Sequence, residues 1–186
     1  IVEDINSSGG KAMGFAGNQN NLITAKKLEM AVKDSDSNIE KILDLGFVGE
    51  PISINSSFIN DHIVKGIIPV IAPLGIDEKG NTYNINADTA AGAIAGALRA
   101  SKLLLLTDIA GILDENKKLI SSLNYEEAKK IISKNFILGG MKPKITTCIK
   151  AISQGVKQAT ILDGRIPHAL ILELFTEHGI GTQIYS

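Results

Sequence analysis

The chain has 186 residues, 44% hydrophobic and 21% charged, with a net charge of -1. That balance suits an ordinary globular core and argues against a nucleic-acid binder or an acidic-membrane binder, both of which need clustered basic residues. A single cysteine, Cys148, excludes an internal disulfide framework and a cysteine-based zinc site, and fits a reducing cytoplasm. No apolar run reaches the ~20 residues that cross a bilayer, and no stretch reads as a signal peptide, so a cytoplasmic protein with no membrane partner is expected.

Ile1 to Asn6 reads as the end of a helix, with apolar spacing but neither a start signal nor an initiating methionine. The chain is therefore expected to be the back part of something longer. Ser7-Ser8-Gly9-Gly10 closes that helix. Lys11 to Ala16 and Leu22 to Leu28 then read as strands of a hairpin around Gly17-Asn18-Gln19-Asn20-Asn21. Glu40 to Val48 and Ile52 to Ile54 are expected to be extended, Asn55 to cap a helix over 56–65, and Ile67 to Ala72 to form a buried strand stopped by Pro73. Asp77 to Asn81 supplies a turn, Thr82 to Ile85 a short strand, and Ala87 to Ser101 a helix whose small residues allow close packing. Leu103 to Thr107 follows as a strand buried on both faces.

Asn124 is expected to cap a helix to about Lys134, with a second helix from about Pro143 to Gln154. A strand over 159–162, a helix over 168–178 and a last strand over 182–185 complete the pattern. This alternation predicts an α/β fold, a mainly parallel open sheet sandwiched by helices.

Three segments carry chemistry. Asn84, Asn86 and Asp88 stand where an extended segment becomes a helix, a position that serves as an N-cap or as a site for an anionic substrate. Asp108-Ile109-Ala110-Gly111-Ile112-Leu113 leaves the strand of four leucines at what should be the carboxyl edge of the sheet, where ligands bind. There Gly111 could admit a nucleotide, and Ile109, Ile112 and Leu113 could wall its base. Phe136-Ile137-Leu138, then Gly139-Gly140, lead to Lys142-Pro143-Lys144. Pro143 suits the first turn of a helix, and a lysine there opposes the helix dipole unless it faces solvent or an anion. His62, His168 and His178 show no metal spacing and read as surface or capping residues, and Arg165 as an exposed loop residue, so no protein-held metal is expected.

Taken in order, Tyr83 to Asp88, Thr107 to Leu113, Gly139 to Lys144 and the ending Leu172 to Thr182 resemble the acetylglutamate kinases of the amino acid kinase family. The likeness runs over nearly the whole chain. It implies transfer of the ATP γ-phosphoryl group to the side-chain carboxylate of N-acetyl-L-glutamate in arginine biosynthesis. That carboxylate, with a pKa of ~4.3, is already ionised at neutral pH and needs no general base. Positioning and charge neutralisation would then do the catalysis. By this resemblance Asn84 and Asn86 bind the acetylglutamate, Lys144 stabilises charge on the transferring phosphoryl, and Asp88 orients the lysines. Residues 108–113 and 136–138 (Phe136, Ile137, Leu138) bind the ATP, with Mg²⁺ carried mainly by the phosphates.

The same resemblance implies a remaining acetylglutamate lobe over 1–100 and an ATP lobe over 101–186 on one continuous sheet, incomplete at its N-terminus. The family's first-strand lysine, its glycine-rich turn and a substrate-gripping arginine fall before Ile1. A homo-oligomer, dimer or hexamer, is implied, as is arginine inhibition through the region Glu177 to Thr182. Glutamate 5-kinase, aspartokinase or uridylate kinase remain alternatives within the fold, and a non-catalytic nucleotide- or effector-binding module outside it.

Overall fold

The computed structural model describes residues 1–33, 40–137, 139–176 and 179–186, with only the backbone described for 30–33 and 40–43. The chain divides into two compact units, Ile1–Ala93 and Ile94–Ser186.

The first unit contains α1 (Val2–Ser7), β1 (Ala12–Ala16), β2 (Ile23–Lys33), β3 (Glu40–Ile54), α2 (Ser56–Ile63), β4 (Ile68–Ala72), β5 (Leu74–Ile76), β6 (Thr82–Ile85) and the start of α3 (Ala87–Leu98). A side-chain cap sets the start of α2. The Asn55 side chain accepts from the Phe58 amide at 3.2 Å to open α2, as the sequence leads one to expect. His62, expected at the surface, instead packs its ring against Phe15 and Phe58. Its Nδ1 lies 2.8 Å from the Phe58 carbonyl.

The expected hairpin of β1 and β2 does not form. β1 pairs in parallel with β4, from Ala12↔Ile68 to Ala16↔Ala72, and the polar stretch after Gly17 is a short 3-10 turn that carries the chain into a different sheet. β2 pairs instead with β3, antiparallel. β3 runs unbroken through Pro51, because a register shift between Thr24 and Ala25 leaves Ile52 as an extra residue opposite them, the bulge that tolerates a strand proline. Pro73 does end β4, which stops at Ala72, and β5 follows directly in a different sheet. β4 is half-buried to exposed rather than buried.

Strands β2, β3, β6 and β5 close into a small barrel, with Ile23, Ala25, Tyr83 and Ile85 buried. Closure brings backbones very near. A Cβ at Gly75 would stand 2.5 Å from the Ala25 Cβ and 2.7 Å from the Ile85 Cδ1, so only glycine fits.

The second unit holds the end of α3, then β7 (Lys102–Thr107), β8 (Ser122–Asn124), α4 (Tyr125–Ile131), α5 (Met141–Ser153), β9 (Gln158–Asp163), α6 (Ala169–Phe175) and β10 (Thr182–Tyr185). Its sheet has the order β7-β9-β10-β8. β7 and β9 are parallel, as are β8 and β10, while β9 and β10 are antiparallel. Asn124 opens α4 with a complete capping box, its side chain bonded to the Glu127 amide and the Glu127 carboxylate to its own, the reciprocal pattern that satisfies two orphan donors. α5 begins at Met141, two residues before the expected proline. Met141, Ile145, Cys148 and Ile152, spaced four, three and four residues apart, are all buried, one apolar stripe facing the sheet.

β7 is not buried on both faces: Leu103 and Leu105 are in the core, whereas Leu106 is 47% exposed. α6 is shorter than the expected 168–178 helix, and its cap residue His168 adopts the left-handed conformation. The last two residues of that expected helix lie outside the described residues.

Candidate active site

In the first unit the β6–α3 junction has the geometry the sequence suggests. Along β6 the pattern alternates, with Tyr83 and Ile85 buried and Thr82 and Asn84 exposed, because successive side chains face opposite sides of a strand. Asn84 therefore points away from the barrel core. Asn86 is the cap of α3. Its Oδ1 accepts from the Thr89 amide at 3.1 Å and the Thr89 hydroxyl at 3.3 Å, which leaves its side-chain amide nitrogen to meet a ligand. Asp88 lies half-buried in the first turn of α3.

In the second unit, one edge of the sheet gathers several of the expected residues. α5 packs on β9, β7 and β10 and leads into β9 through four residues. It must therefore run back along the strands, with its N-terminus at their carboxyl end. That end carries Asp108, directly after β7, and Lys144, half-buried in the first turn of α5.

Residues 108–113 divide by exposure. Asp108, Ile109, Ala110 and Leu113 are exposed, whereas Ile112 is fully buried. The expectation that Ile112 walls a base is thus corrected: its side chain is core. Gly111 also has a structural reason. Its φ is +145°, and a Cβ there would lie 2.6 Å from the Thr182 Oγ1 and 3.0 Å from the Thr182 amide nitrogen, so the glycine admits the last strand. Thr182, 0% exposed, holds the loop from both sides. Its hydroxyl accepts from the Ile112 amide at 2.8 Å and donates to the Ile120 carbonyl at 2.6 Å.

A cavity of about 480 Å³ opens just beyond this loop. Leu123, Ile131 and Phe136 give it an apolar wall, and its charged lining is mixed, with Lys130 and Lys134 beside Asp114, Glu115 and Glu127. Its size and mixed lining fit a small-molecule ligand such as a purine nucleoside. Phe136 lines it, Ile137 is buried at 3% exposure, and Leu138 lies outside the described residues.

Two further residues at the same edge were not expected to have a role. Asp163, the last residue of β9, is buried, and its carboxylate accepts three bonds from Arg165: from the amide at 2.9 Å, from Nε at 3.0 Å and from an Nη at 2.8 Å. The Arg165 side chain holds the Asp163 carboxyl down at about 2, the Arg165 amide adding to the effect. The bonds to Asp163 also raise the Arg165 pKa, aided by the charges of Asp163 and Asp108. The signal available in the sequence was their position just past a buried strand, the carboxyl edge where ligands collect.

A profile describing the amino acid kinase family matches residues 1–163. The acetylglutamate kinase of Afipia carboxidovorans is 54% identical over 185 residues, covering 100% of this chain and 63% of that protein. That of Rhodospirillum centenum is 55% identical over 184 residues, covering 99% of this chain and 60% of that protein. The chain thus spans about three fifths of the length of these curated relatives. Among solved structures, N-acetylglutamate synthase from Neisseria gonorrhoeae, complexed with coenzyme A and L-arginine, superposes with a TM-score of 0.79 at 27% identity, covering 95% of this chain and 38% of that one. Carbamate kinase of Giardia shares the fold at 17% identity, with a TM-score of 0.69, over 100% of this chain and 66% of its own.

Proposed function

Because this chain belongs to the amino acid kinase family, we propose that it serves an acetylglutamate kinase, transferring the γ-phosphoryl group of ATP to the side-chain carboxylate of N-acetyl-L-glutamate. The observation that carries this reading is identity above one half to acetylglutamate kinases across essentially the whole chain. In it, residues 1–100 hold the acetylglutamate, through Asn84 and the free amide of Asn86. Residues 101–186 hold the nucleotide, through Asp108 to Leu113 and Phe136 to Leu138. Asp88 orients the lysines, and Lys144 meets the charge that spreads over the transferring phosphoryl. The acceptor carboxylate is already ionised, so these residues orient and neutralise rather than move protons. Mg²⁺, when bound, would offset the charge of the ATP phosphates.

The second unit also contains a polar cavity of about 170 Å³ whose lining includes Lys102, Glu173, Gly179 and Gly181. One cation and one carboxylate suit the two ends of a basic amino acid, which supports arginine as an inhibitor held beside the C-terminal motif. Glu177 and His178 of that motif lie outside the described residues. A homo-oligomer completes the proposal. Among the described residues no helix is long and apolar enough to cross a membrane.

Hydroxylamine trapping tests the reaction. The protein is incubated with Mg-ATP and N-acetyl-L-glutamate, then in parallel with glutamate, aspartate or UMP as acceptor, with ADP release read in every arm because UMP gives no acyl phosphate to trap. Hydroxamate from N-acetylglutamate above the other carboxylate acceptors supports the assignment. Preferred turnover of another acceptor overturns it, and nucleotide binding without turnover of any favours the non-catalytic binding module. Full activity in excess arginine would remove the inhibitor site alone.

A further inference from the structure

We propose that Arg165 is a phosphate-binding residue, presented by Asp163 at the carboxyl edge of β7 and β9 to the terminal phosphates of a nucleoside triphosphate. The placement is set by the ladder. Thr107 pairs with Asp163 as the last residues of two parallel strands, and the Gly164 amide donates to the Thr107 carbonyl at 2.8 Å. Asp108 and Arg165 therefore emerge one residue beyond paired backbone, side by side, at the same edge as the first turn of α5.

The Asp163–Arg165 pairing is built asymmetrically. The carboxylate side chain is 12% exposed and the guanidinium side chain 68% exposed. A turn alone accounts for the amide bond from Arg165 to Asp163 but not for the two guanidinium bonds. Those two bonds fix the plane of the guanidinium through Nε and one Nη, while its outer N–H groups stay turned to solvent; five donors in a rigid fork can serve two anions at once. An exposed ion pair contributes little to stability. What this one does provide is an oriented cation at the sheet edge where nucleotide phosphates bind in open α/β folds, beside an aspartate whose repulsion of phosphate it would offset. Asp163 acts as a positioning residue and Arg165 makes the contact.

This inference rests on residues 101–186 being the nucleotide-binding part. Calorimetric titration of the 186-residue chain with Mg-ATP, Mg-ADP, AMP and adenosine, repeated for Arg165→Gln, Arg165→Lys and Asp163→Asn, tests it. Loss of a charge-assisted contact should weaken ATP binding about tenfold in Arg165→Gln, while AMP and adenosine change less than twofold. Arg165→Lys should recover part of the loss, and Asp163→Asn should weaken ATP selectively, with thermal melts verifying the fold. An unchanged ATP-to-AMP preference in Arg165→Gln overturns the role of Arg165 and leaves the nucleotide site intact. Failure of the parent chain to bind any of the four ligands overturns the nucleotide reading itself, and this proposal with it.

Discussion

Lys144 occupies the first turn of α5, where a positive charge opposes the helix dipole, so its value should lie in chemistry rather than in helix stability. Replacing it with methionine, which keeps the aliphatic stem, is expected to lower kcat about 10²–10³-fold, the scale of a lost transition-state donor. A large drop in melting temperature that accounts for the lost rate would instead make Lys144 structural. Asp77 contributes to the acid limit, and Asp163, whose partner Arg165 is exposed, does so more weakly. Bonds from the Asn81 side chain, then the Asn81 amide, the Tyr83 hydroxyl and the Lys79 amide, bring Asp77 to about 2, and Asp163 stands at about 2 as well. Both folded values lie below the unfolded one near 4. The stability they contribute is therefore complete above pH ~4 and is lost as pH falls through 4 toward 2. Melting temperature should be level from pH 7 to 5 and fall steeply below 4, and Asp77→Asn or Asp163→Asn should flatten that fall. An unaltered slope in both variants would rule out these two carboxylates as its source.

At the scale of elements, the barrel of the first unit is the least forgiving feature. Gly75→Ala would force a methyl group onto Ala25 and Ile85 and should cost about 1–3 kcal/mol by overpacking, read as a lower urea midpoint at unchanged slope; a neutral result would mean that the strands separate easily. That closure could not be read from the chain, whereas the helix starts could. Asn55, Asn86 and Asn124 each cap a helix through bonds three residues away, and local bonds leave a local pattern. β1 looked like the first arm of a hairpin because its neighbour in sequence was also extended, yet its partner is β4, more than 50 residues on. Sheet membership depends on such distant partners. The same reason hid Thr182, whose hydroxyl acts on Ile112 and Ile120 some 70 and 62 residues back, and the pairing that gives Arg165 its setting beside Asp108.

For the molecule as a whole, the family profile ends at Asp163, so β10 lies beyond the matched span although it stands inside the sheet, between β9 and β8. Among the described residues β8 has no ladder partner but β10. Apart from the Asn124 amide, which the Glu127 carboxylate holds, the amide hydrogens of β8 therefore have no protection of their own. In native-state hydrogen exchange they should open together with residues 182–185, at a free energy never above that of β10, while the β7–β9 ladder opens later. Ile184→Ala, which empties a fully buried site at a cost of about 2–5 kcal/mol, should speed exchange in β8 and β10 by the same factor. Slow exchange in β8 after β10 has opened would mean that β8 is held by something other than this ladder. If the two exchange as one, β10 governs how long the loop after β7 keeps its shape, since Thr182 grips that loop from the first residue of β10.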